Sequence, residues 1–75
     1  MPKLPAVTAR RVIRALKRAG FIEDRQRGSH LVMFHPESHA RTVIPVHARM
    51  TLKKALLRTI IADAGLSAEE FLDLL

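Results

Sequence analysis

A 75-residue chain without cysteine is a single domain that must hold together without disulfides or thiolate metal sites. No apolar run reaches the ~20 residues of a membrane span, and Met1-Pro2-Lys3-Leu4-Pro5 lacks the apolar core of a secretion signal, so a soluble cytoplasmic protein is expected. The net charge is +6, with no Trp or Tyr and only three Phe. That balance favours a polyanionic partner but disfavours aromatic platforms that stack bases.

The charge is unevenly spread. Residues 1–58 carry all thirteen Lys and Arg against Glu23, Asp24 and Glu37, a net +10, whereas residues 59–75 carry Asp63, Glu69, Glu70 and Asp73 and no base, a net −4. A basic body with an acidic tail fits nucleic acid, or an acidic protein.

In chain order, residues 8–19 read as a helix. Thr8 is placed to cap it, and Ala9, Val12, Ile13 and Leu16 form one apolar stripe. Gly20 supplies the left-handed residue after the last turn and Phe21 the apolar contact beyond it. Arg10, Arg11, Arg14, Lys17 and Arg18 occupy the other faces, either as a solvated surface or as a phosphate-tracking one.

Residues 21–25 predict a short strand, with a turn in Gln26–Gly28. Residues 29–35 alternate, with His30, Val32 and Phe34 on one face and Leu31, Met33 and His35 on the other. Both faces are partly apolar, so periodicity leaves open which one packs on the helices. A polar loop (residues 36–40) leads to a third strand (residues 41–46), where Pro45, lacking an N–H, marks a strand end or an edge.

A second helix is expected over residues 51–64 with Thr51 as its cap, followed by Gly65 and Leu66 as a C-terminal stop. Ser67-Ala68-Glu69-Glu70 is a capping box that opens a last short helix. The order α-β-β-β-α packs economically as helices on one face of an antiparallel sheet.

The chemistry-bearing residues are few. His30, His35, His39 and His47 show no spacing that sets two of them on one helix face, so no metal site is expected. A phosphate-cradling P-loop is also missing. His30 follows Gly28, which can adopt a tight-turn backbone and leaves room for a ligand. Ser29 is either a phosphate donor or a turn former. Arg25 and Arg27 surround the site with positive charge, and an imidazole, with an unperturbed pKa of about 6.5, suits proton transfer at cellular pH. His47 is either a second proton-transfer group or a strand-end residue. His35, on the opposite strand face, is expected to be structural and His39 to be solvated.

Gly28-Ser29-His30, His35-Pro36, Val43-Ile44-Pro45-Val46-His47, Leu52-Lys53, Leu57-Arg58 and Ala64-Gly65-Leu66-Ser67 occur in an order and spacing that resemble the HicA toxins. Ala15-Leu16-Lys17-Arg18-Ala19-Gly20-Phe21 fits that family's first helix and its exit. The resemblance runs from about residue 8 to residue 75. It implies a double-stranded-RNA-binding-like fold in one domain over residues 1–75. It also implies a metal-independent endoribonuclease acting on mRNA, without a cofactor, and a HicB-type antitoxin partner in a hetero-oligomeric complex. The family's catalytic histidine corresponds to His30. Gly28, Ser29, Arg25, Arg27 and Lys53 are then the expected substrate contacts. Many relatives carry Lys-Pro-Gly-Thr where this chain has Lys53-Lys54-Ala55-Leu56, which puts in doubt any phosphate contact made there by glycine and threonine. A non-catalytic RNA-binding module of the same fold, or an inactive partner-binding relative, are the alternatives.

Overall fold

The computed structural model describes residues 2–47 and 49–75. The elements are α1 (Ala9–Arg18), β1 (Ile22–Arg27), β2 (His30–Phe34), β3 (Arg41–Pro45), α2 (Lys54–Asp63) and α3 (Ala68–Leu74). This is the α-β-β-β-α layout with a short terminal helix. The sheet is antiparallel in the order β1-β2-β3, so Pro45 ends an edge strand, where a missing N–H costs no ladder bond.

Both helix exits anticipated from glycine have the doubly bonded form of a Schellman stop. Gly20 N–H donates to Lys17 and Phe21 N–H to Leu16, both at 3.0 Å; Gly65 and Leu66 repeat the pattern on Ala62 and Ile61. Gly20 has a second reason to be glycine. At φ +100° it stands against His35, whose Nε2 would lie 2.8 Å from an added Cβ.

The start of the second helix differs from expectation. Thr51 does not cap it; it pairs with Thr8 in an isolated antiparallel bridge, and Leu52 N–H donates to Val7 carbonyl at 2.8 Å. Extended pairing excludes residues 51 and 52 from the helix, so Lys53 is the N-cap and offers no side-chain bond to the free N–H groups. The bridge ties together the two segments that lead into α1 and α2.

The core settles the question that periodicity left open. Leu31 and Met33 of β2, with Thr42 and Ile44 of β3, are buried against Leu16, Val12, Leu57, Ile60 and Phe71. The one buried polar side chain among the described residues, Thr42, donates to Ile60 carbonyl at 3.3 Å and so links β3 to α2. Buried hydroxyls need such partners. His30, Val32 and Phe34 therefore share the face turned away from the helices.

The acidic tail is a built part of this core. Ser67 accepts from Glu70 N–H at 3.1 Å and Glu70 accepts from Ser67 N–H at 2.9 Å, completing the capping box. The Ser67 N–H first, and then its hydroxyl, hold the exposed Glu70 carboxyl below the usual range. This small contribution is present above the ordinary carboxylate range and is lost as acid protonates Glu70. Arg18 anchors the far end of α3 by donating to Leu74 carbonyl at 2.6 Å. No helix among the described residues is long and apolar enough to cross a membrane.

Candidate active site

β1 and β2 are joined by Gly28 and Ser29 alone, because Arg27 pairs with His30. Gly28 takes φ +55° and Ser29 has no positive φ, the pattern of a II′ hairpin turn, which wants glycine first. The turn is thus Gly28–Ser29 rather than Gln26–Gly28, and β1 runs on to Arg27. An added Cβ at Gly28 would meet nothing within 4 Å, so the turn is open to a ligand. Gln26 steadies it by donating from Nε2 to Gly28 carbonyl at 3.0 Å.

Cross-strand partners in an antiparallel sheet share a face. His30 is flanked by Arg27 of β1 and Pro45 of β3, and Arg25 lies opposite Val32. Arg25, Arg27 and His30 therefore stand together on the outer face, with Gly28 and Ser29 at its rim. All but the half-buried Ser29 are exposed. Among the described residues, no hydrogen bond or ion pair engages the side chains of Arg25, Arg27 or His30. Three donors at the mouth of a tight turn, with an imidazole among them, can receive a phosphodiester and move a proton on it.

The strand ends are held in register at this point. Val46 N–H donates to Ser29 carbonyl at 2.6 Å, one residue beyond the His30–Pro45 pair. The rim of the sheet is thus closed beside the turn.

Lys53 comes from a different element. It is the N-cap of α2, next to the Thr8–Thr51 bridge, and no hydrogen bond or ion pair among the described residues joins it to the turn. His47 is exposed and lines a separate groove of about 750 Å³ between α1 and the chain leaving β3, together with Arg10, Arg14, Lys17 and Arg49. The i, i+4, i+7 spacing of the three α1 cations was visible in sequence. Their pairing with Arg49 and His47 was not, because it depends on where β3 exits.

His35 is engaged on both ring nitrogens. Nε2 lies 3.0 Å from Ala19 carbonyl, and Nδ1 is 3.2 Å from the N–H groups of both Glu37 and Ser38. A carbonyl can only accept and an amide N–H can only donate, so these contacts specify the Nε2–H tautomer. Phe21 meets the ring edge-on at 5.1 Å. His35→Ala should lose about 2–3 kcal/mol of stability, read as a lower urea midpoint, with any activity of the folded fraction unchanged. His39, rather than being merely solvated, stacks on Phe34 at 5.8 Å, while the Arg41 guanidinium lies 4.6 Å from the same ring. Arg41 also bonds Asp24, the residue at the β1 irregularity, at 2.8 Å. That end of the outer face is tied up in contacts; the His30 end is not.

Among the described residues, no group of three or more His, Asp or Glu could hold a metal ion. The family described as "HicA toxin of bacterial toxin-antitoxin" matches residues 9–66, from the start of α1 to the residue after Gly65. No curated protein matches the chain.

Proposed function

The chain belongs to the HicA toxin family, and from that premise we propose that it is a metal-independent endoribonuclease that acts on mRNA through His30. Family membership makes it the toxin of a toxin–antitoxin pair and implies a cognate antitoxin. The finer reading makes that antitoxin HicB-type.

The observation that carries the catalytic reading is the unengaged His30 imidazole at the open II′ turn, with Arg27 directly across the strand pair. His35, by contrast, has both nitrogens occupied, and His39 is stacked away at the other end of the face.

Cleavage without a metal uses the RNA's own 2′-hydroxyl as nucleophile. His30 takes the 2′-OH proton as general base. The O2′–P bond forms, the P–O5′ bond breaks, and the 5′-oxygen leaves with a proton taken from solvent water, while the proton held by His30 returns to solvent. The products are a 2′,3′-cyclic phosphate and a 5′-OH. Arg27 and Arg25 supply fixed positive charge for the phosphorane, whose added negative charge makes such donors more effective in the transition state than in the ground state. Gly28 admits the backbone of the substrate to the turn, and Ser29 offers its hydroxyl to a phosphate oxygen.

The test is incubation of purified protein with end-labelled RNA in the presence of EDTA. Cleavage to cyclic-phosphate ends is expected. A gel shift with intact RNA would instead make the chain a binding module.

A further inference from the structure

We infer that the groove lined by α1 and by Val46, His47 and Arg49 is an anchor for the RNA strand, separate from the scissile site at His30. It rests on the reading of the chain as an RNA-cleaving toxin. Of the five cations on α1, the structure selects three. Arg10, Arg14 and Lys17 line the groove, Arg18 is occupied by Leu74 carbonyl, and Arg11 lies outside it. Arg49 completes the lining from the other side, and no carboxylate lines the groove among the described residues. Lys17 is shared with Glu23 at 2.6 Å, which leaves the arginines as the main anion contacts.

The shape suits a nucleic-acid strand better than an acidic protein surface. Arg10 to Lys17 spans two helical turns, about 10 Å of axis, roughly the length of three stacked nucleotides at 3.4 Å each. Ile13 and Val46 give the groove an apolar floor between the cations, where a base or ribose can lie while phosphates meet the guanidinium forks. Acidic side chains on a protein surface would leave that floor uncovered.

Position links the groove to the chemistry. Val46 lines the groove, and it bonds Ser29, the residue before His30. The groove and the catalytic turn thus meet at one rim of the sheet, the groove on the helix side and His30 on the outer face. A strand held by Arg10 and Arg14 passes over the Ser29–Val46 rim to reach His30. The anchor contacts nucleotides flanking the scissile bond and takes no part in bond making.

The test uses R10A and R14A, singly and together, with R11A as the control that removes one charge from the same helix. Binding is measured in the H30Q background, where RNA stays intact, with a single-stranded oligonucleotide across a salt series. R10A/R14A should weaken binding by roughly tenfold or more per lost contact and reduce the salt slope by about 1.4, at about 0.7 per phosphate contact. R11A should stay within about twofold. In the His30 protein, R10A/R14A should raise KM and leave kcat unchanged, as for uniform binding. Unchanged binding by R10A/R14A, or an equal loss in R11A, overturns the anchor. So does a fall in kcat at constant KM. Polyglutamate that binds as tightly as RNA, with the same dependence on Arg10 and Arg14, would assign the groove to an acidic protein. If no RNA is cleaved but binding follows the expected pattern, the nuclease reading fails and the anchor stands.

Discussion

His30→Gln is expected to abolish RNA cleavage and growth arrest while leaving the fold intact. Glutamine keeps a polar side chain of similar reach but cannot exchange a proton in the working range. Loss of one general acid–base group typically costs about 10²–10⁴ in rate, enough, on the proposed mechanism, to release cells from the toxin. The fold should not notice, since His30 is exposed at a strand start and no hydrogen bond engages its ring among the described residues. Surface changes of this kind usually stay within about 0.5 kcal/mol. The informative comparison is with Arg27→Ala. Arg27 is His30's cross-strand partner, so its loss should slow cleavage without abolishing it, through weaker charge stabilisation. Matched melting curves and single-turnover rates on the two variants make the check. A His30→Gln protein that still cleaves and still arrests growth removes His30 as the catalyst. Loss of activity with a lowered melting point would make its role structural.

The sequence made the architecture readable wherever a local signal coincided with the tertiary need. Gly20 and Gly65 each sit one residue past a helix C-cap with an apolar follower, and both became Schellman stops. Ser67 and Glu70 formed the capping box their spacing promised. The signal failed at Thr51, a residue type that caps helices well, because pairing with Thr8 drew it into extended backbone. That bridge joins residues 43 positions apart, and nothing local reports it. Strand β2 shows the same limit. Leu31 and Met33 against Val32 and Phe34 is a near-tie in apolar character, broken only by the helices that landed on one side. The candidate site divided likewise. Arg25, Arg27, Gly28, Ser29 and His30 lie within one hairpin, so chain proximity was a sound guide to spatial proximity. Lys53 was grouped with them as a charge stabiliser, and it comes instead from the N-cap of α2, outside the hairpin.

Phe71→Ala should unfold much of the protein at physiological temperature. The family match ends at residue 66, whereas α3 begins at Ala68, so the matched span alone would make α3 an appendage. The packing argues otherwise. Phe71 is fully buried in the same core as Leu16, Met33, Ile44 and Leu57, and Arg18 of α1 binds the last turn of α3. Removing a buried Phe side chain costs about 3–5 kcal/mol. A chain of this size has about 4–11 kcal/mol in total, and small domains lie toward the low end because they bury a smaller share of their surface. The deletion therefore consumes much of the margin, and the urea midpoint should fall steeply with far-UV helical signal lost in one transition. Growth arrest would then disappear for want of folded protein, with residual cleavage per folded molecule unchanged, which separates this variant from His30→Gln. A loss below about 1 kcal/mol, with α1 and the sheet intact, would mean that α3 detaches independently. Phe71 would then cover a core that closes without it, and the acidic tail would be dispensable to the hairpin that carries His30.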